Sequence, residues 1–128
     1  MPDWNDVVSI SDFSQKDIEL VLDTAIKLQS FSASQKRTLL EGKILASLFF
    51  EPSTRTRLSF ETAAQNMGCR VIGFADAKSS STAKGESVSD TVRMASSYAD
   101  FIVIRHFLEG VARRAAEVSD VPVINAGD

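Results

Sequence analysis

Arg55 and Arg57 alternate with the hydroxyl side chains of Ser53, Thr54 and Thr56 in one unbroken run. Guanidinium groups offer forked donors that fit phosphate oxygens, and hydroxyls add neutral donors beside them. The run lies between an apolar stretch, Ile44 to Phe50, and a helix-like one, Leu58 to Met67. At such a junction Ser53 can cap the helix with its hydroxyl, leaving other first-turn amides and the positive dipole end facing outward. That end attracts anions. A helix built for stability alone would favour Asp or Glu where Arg55 and Arg57 stand, because two guanidiniums there repel each other and oppose the dipole. Broken local rules of this kind belong to functional sites, and a bound phosphate-like dianion removes the cost. The plainer alternative is a basic surface patch.

Other groups divide into useful and structural. Arg105 directly follows four apolar residues, so a strand fixes its backbone and delivers its head at the strand's end. His106 is the only histidine, and a lone histidine reads as a hydrogen-bonded structural residue. One His and one Cys make no zinc set, and the separate carboxylates Glu86, Asp90 and Asp100 make no metal-ligand pattern. No metal or cofactor is expected. Lys84, followed by Gly85 and Glu86, could bring an ammonium to a phosphate, with a solvated loop as the competing reading. A P-loop run and a dinucleotide fingerprint are both missing.

The elements that must position these groups follow from periodicity. Ser14 caps a helix running to about Ser30, with Ile18, Val21, Leu22, Ala25, Ile26 and Leu28 at helical spacing, which reads as a packing element. Ile44 to Phe50 is a buried strand. A helix from Thr54 to Met67 ends at Gly68, a residue suited to a left-handed cap. Arg70 to Phe74 is a second strand, followed by a loop from Asp76 to about Glu86 that is long for a compact α/β unit. A helix from Ser87 to Ser97, a strand from Phe101 to Ile104, a short helix from Val111 to Val118 and a strand from Val121 to Ile124 complete the chain. Strand and helix alternate with crossovers long enough for parallel pairing. The expected fold is therefore α/β, three-layered, with a four-stranded, mostly parallel sheet flanked by helices. Ligands of such sheets bind outside the carboxyl ends of the strands. There the order collects Ser53 to Arg57, the Ser79 to Lys84 loop, Arg105-His106, and Asn125 to Asp128.

Composition sets the bounds. A chain of 128 residues, 44% hydrophobic and 24% charged, is one globular domain with a real core. A net charge of -3 argues against nucleic acid as the partner and directs the local positive charge to a small anion. The single Cys69 excludes a disulfide framework and fits a reducing cytoplasm. No apolar run is long enough for a membrane span, and the first residues lack the pattern of a signal peptide.

Phe49-Phe50-Glu51-Pro52-Ser53-Thr54-Arg55-Thr56-Arg57-Leu58-Ser59-Phe60-Glu61 resembles the carbamoyl-phosphate signature of the aspartate and ornithine carbamoyltransferases. The likeness continues through Lys84-Gly85-Glu86-Ser87, Asp90-Thr91, Ile104-Arg105-His106 and Asn125-Ala126-Gly127-Asp128, over the whole chain. Arg105-His106 and Asn125-Ala126-Gly127-Asp128 resemble the aspartate branch more than the ornithine branch. The resemblance implies attack of the L-aspartate amino group on the carbonyl carbon of carbamoyl phosphate, giving N-carbamoyl-L-aspartate and phosphate, a step of pyrimidine synthesis. It implies that Ser53, Thr54, Arg55, Thr56 and Arg105 hold the phosphate. Thr56 and Arg105 would also polarise the carbonyl, and Arg55 would stabilise charge on the leaving group. Ser80 and Lys84 match loop residues that reach a neighbouring subunit's site, which implies a homotrimer with shared sites. A regulatory chain is a possible further partner.

In that family Asn-Ala-Gly-Asp is followed by a His-Pro-x-Gln segment and a second, aspartate-binding domain. Residues 1–128 resemble the carbamoyl-phosphate domain alone, so the expectation is phosphate binding with little or no transfer by this segment. A non-catalytic anion-binding or trimer-assembly module is the alternative, and the ornithine branch differs only in the amine accepted.

Overall fold

The computed structural model describes residues 2–75 and 87–128. Its centre is a sheet of β1 (Ile44–Phe49), β2 (Arg70–Phe74), β3 (Phe101–Arg105) and β4 (Val123–Asn125). The spatial order is β2-β1-β3-β4, and all three pairings are parallel. The helices among the described residues are α1 (Gln15–Gln29), α2 (Ala33–Lys36), α3 (Thr54–Asn66), α4 (Val88–Tyr98) and α5 (Val111–Val118), with a 3-10 turn at Ile10–Asp12. The short α2 and the 3-10 turn were not expected from periodicity, which cannot register elements of one turn. Among the described residues no helix is long and apolar enough to cross a membrane.

Alternation along β1 divides the core into two layers. Ala46, Leu48 and Phe50 join Ile102, Ile104 and Val123 on one face, where Val92 and Ala95 of α4 and Ala112 and Ala115 of α5 cover them. Leu45, Phe49 and Val103 face the other way, against Ala64 of α3 and the buried Cys69. Both faces of β1 are thus buried, which accounts for an apolar run broken only by Ser47. This is the expected three-layer α/β architecture.

Local chemistry moves the boundaries. The fourth strand begins at Val123 and not at Val121. Pro122 has no N–H for a ladder, and the Ser119 hydroxyl both accepts from the Val121 amide (3.0 Å) and donates to its carbonyl (2.7 Å). Val7 pairs in parallel with Ile124 and extends the sheet by a bridge. Gly68 has φ +93 just beyond α3, and Cys69 N–H donates back to the Ala64 carbonyl at 2.9 Å, the left-handed termination expected there.

One expectation fails. α1 is capped as expected, Ser14 accepting from the Asp17 amide and Asp17 from the Ser14 amide. Its apolar side nevertheless packs against little: none of its residues is buried, and Leu22 and Ile26 are 58% and 66% exposed. A capping box and helical periodicity define a helix locally, whereas burial needs a facing surface. The described residues of this chain supply none.

Candidate anion site

β1 and β3 lie side by side with Phe49 in register with Arg105. The Phe50 amide continues the ladder one residue beyond β1, donating to the Arg105 carbonyl at 2.9 Å. The chain then passes Glu51 and Pro52 and enters α3 at Thr54. A helix N-terminus and the head of a strand-end arginine therefore meet at one edge of the sheet. Asn125 is in register with Ile104, which brings residues 125–128 to that edge as well.

The α3 entry differs in one respect from its expected form. Ser53 is the N-cap residue, and its carbonyl accepts from the Arg57 amide at 3.0 Å. Its hydroxyl makes no capping bond, because ψ 76° departs from the extended geometry of the other serine caps. The amides of Thr54, Arg55 and Thr56 hydrogen-bond to nothing among the described residues. Serine and first-turn amides alike remain as donors at the positive end of α3. Thr54 and Arg55 are exposed, Ser53 and Thr56 half-buried.

The two arginines of the run separate. Arg57, read with Arg55 as a donor to the anion, is turned along α3 to Glu61, Nη1 to Oε1 at 3.2 Å. Glu61 is held in turn by the buried Ser47, whose hydroxyl donates to Oε2 at 2.8 Å. That chain of contacts ties α3 to β1 and removes Arg57 from the shared positive charge. Arg55 forms no ion pair among the described residues.

Arg105 is anchored from two sides. Its Nε donates to Glu51 Oε1 at 2.8 Å, and its Nη1 donates to the Ala126 carbonyl at 3.0 Å. Arg105 and Glu51 are both about one-third exposed, at 31% each. Glu51 was not singled out in the sequence; the available signal was a lone carboxylate two residues ahead of the Ser53 run. The segment after β4 is a bonded turn, with Asn125 Oδ1 accepting from Gly127 N–H at 2.8 Å and Gly127 O accepting from His106 N–H at 3.2 Å.

His106 is structural, in line with its expected role. It is 5% exposed, its Nδ1 accepts from the Leu108 amide at 3.0 Å, and its ring stacks on Phe107 and leans on Phe50. Burial pushes its pKa below the ordinary value, with Glu51 opposing the shift. Asp90 caps nothing chemical either, forming an exposed pair with Arg93 on α4. Ser80 and Lys84, expected at this edge from the long loop, lie outside the described residues.

Comparison with known proteins gives this geometry a family. The family model described as aspartate/ornithine carbamoyltransferase, carbamoyl-P binding domain, matches residues 5–128. The aspartate carbamoyltransferase catalytic subunit of Thermococcus gammatolerans is 59% identical over 130 residues, covering 98% of this chain and 42% of that protein. The catalytic subunit of M. jannaschii aspartate transcarbamoylase superposes with a TM-score of 0.90 at 53% identity, covering 98% of this chain and 41% of that one. A Trypanosoma cruzi aspartate transcarbamoylase solved in complex with carbamoyl phosphate and aspartate gives 0.86 at 36% identity, over 97% and 41% of the two chains. The chain thus spans about two-fifths of the length of these relatives. It belongs to the aspartate/ornithine carbamoyltransferase family, as a carbamoyl-P binding domain.

Proposed function

We propose that the chain binds carbamoyl phosphate, or phosphate, where β1 gives way to α3 beside the end of β3, as the carbamoyl-phosphate half of an aspartate carbamoyltransferase. The observation that carries this reading is the meeting of two features: the open amide end of α3, bearing Arg55, and the guanidinium of Arg105 held by backbone and by Glu51. In this reading Ser53, Thr54, Arg55 and Thr56 cradle the phosphate through hydroxyl, amide and guanidinium donors. Arg105 and Thr56 polarise the carbonyl oxygen, and Arg55 stabilises the departing phosphate. The amino group of L-aspartate attacks the carbonyl carbon, the oxyanion is stabilised by this preorganised positive charge, and the C–O bond to phosphate breaks. Ser80 and Lys84 would complete the site from a neighbouring subunit of a homotrimer, an arrangement that belongs to the same proposal. A cytoplasmic role in pyrimidine synthesis belongs to the same proposal.

Calorimetric titration of the 1–128 polypeptide with carbamoyl phosphate and with phosphate tests the reading. Arg55→Ala is expected to weaken both by about tenfold or more, the worth of a charge-assisted contact, with thermal stability unchanged because Arg55 is exposed. Equal affinity in Arg55→Ala would remove the cradle from consideration.

A further inference from the structure

The Arg105 guanidinium is held by the turn that ends β4 as well as by Glu51. That turn is fixed independently of the arginine. Asn125 Oδ1 accepts from Gly127 N–H at 2.8 Å, and Asn125 Nδ2 donates to the Val8 carbonyl at 2.9 Å. Gly127 O accepts from His106 N–H at 3.2 Å. The turn offers Arg105 the Ala126 carbonyl at 3.0 Å and, next to it, the bare α-carbon of Gly127.

Gly127 has φ +130, and a Cβ placed on it would stand 2.7 Å from Arg105 Nη1, 3.0 Å from Cζ and 3.4 Å from Nε. The obstacle is the flexible end of a side chain, in contrast to Gly68, where a Cβ would strike the Arg37 carbonyl at 2.1 Å. A residue larger than glycine at 127 therefore displaces the guanidinium, in addition to straining the backbone at φ +130. Glycine serves here both the backbone angle and the close approach.

We infer that Gly127 is a positioning residue for the anion site, its missing side chain forming the space in which the Arg105 guanidinium lies against the Ala126 carbonyl. The consequence for binding rests on the phosphate reading above; the placement of Arg105 does not. With Nε on Glu51 and one Nη1 donor on Ala126, the other guanidinium donors have no partner among the described residues and are left in a fixed plane for an anion. Preorganisation of this kind is lost when the guanidinium is displaced, even though its charge remains.

The test follows the Arg105 Nε–Hε resonance of the isotope-labelled 1–128 polypeptide, assigned by its loss in Arg105→Lys. With no ligand added, Gly127→Ala is expected to move that resonance and speed its exchange with water; an unmoved resonance overturns the inference. Asn125→Ala frees the Gly127 N–H without adding atoms beside the guanidinium. It should broaden the same resonance, and it keeps the measurement decisive if Gly127→Ala does not fold. Inorganic phosphate is then titrated. Gly127→Ala should weaken binding by about tenfold in the parent chain but by less than about twofold in the Arg105→Lys background, because the two positions act through one group. Equal weakening in both backgrounds assigns Gly127 a general structural role and overturns the inference. A parent chain that binds no phosphate, with the resonance shifting as expected, removes the phosphate reading and leaves the positioning intact.

Discussion

Arg105 Nε and Glu51 Oε1 stand 2.8 Å apart, joining the end of β3 to the approach to α3. The carboxylate anchors the Nε side of the guanidinium and leaves its other donors to the proposed anion, yet its charge repels that anion. Glu51→Gln is therefore expected to tighten inorganic phosphate binding by about threefold to tenfold at low ionic strength, the gain shrinking as salt is added. Weaker binding in titrations of Glu51→Gln would mean that anchoring of Arg105 by the carboxylate outweighs its repulsion of the anion.

Ser47 is 1% exposed, and its hydroxyl has Glu61 Oε2 as acceptor at 2.8 Å. Glu61→Ala leaves that hydroxyl buried without this partner and Arg57 without its counter-ion. A loss of about 1–3 kcal/mol is expected in denaturant unfolding, the cost of an unsatisfied buried polar group. Adding Ser47→Ala should recover part of it. If the double variant is as unstable as the sum of the single changes, the contact is not coupled.

Burial holds the His106 pKa below its ordinary value of 6.5, so the folded state favours the neutral ring. The sign follows from linkage: the unfolded chain takes up the proton first as pH falls, and the native state loses stability between about pH 6.5 and the lower folded value. The contribution is complete above that range. Thermal unfolding midpoints should fall as pH is lowered from 7.5 towards 5, and the slope should flatten in His106→Gln, as expected for the one histidine. An identical slope in both proteins would assign the pH dependence to carboxylates.

Leu22 and Ile26 lie on the exposed side of α1, whereas Ile102 is fully buried between α4, α5 and the sheet. Polar substitution of Leu22 or Ile26 should change the unfolding free energy of the 1–128 polypeptide by no more than about 0.5 kcal/mol. Ile102→Ala should cost about 2–5 kcal/mol through lost burial and a cavity. A large loss from Leu22→Gln would mean that α1 finds a partner surface in solution.

Much was readable from residue order because it rests on local rules. The apolar runs at 44–50, 70–74 and 101–104 became β1, β2 and β3 within a residue, and strand–helix alternation required parallel pairing. Gly68 ended α3 and Ser87 began α4 for reasons contained in a few neighbouring residues. The Ser53–Arg57 run marked the strand-to-helix entry, and Arg105 marked the end of β3.

Partner choice was decided only in three dimensions, because it depends on contacts between residues distant in the chain. Glu51 and Arg105 are 54 positions apart, and only the β1–β3 register sets one beside the other. Arg57 looked like a twin of Arg55 until β1 presented Ser47 to Glu61, closing a chain of contacts that draws Arg57 away. α1 carried the periodicity of a packed helix, yet periodicity states which side is apolar and not what covers it. Residue types and spacing determined which elements form; tertiary packing decided which charges neutralise one another among the described residues, because electrostatic pairing acts through space.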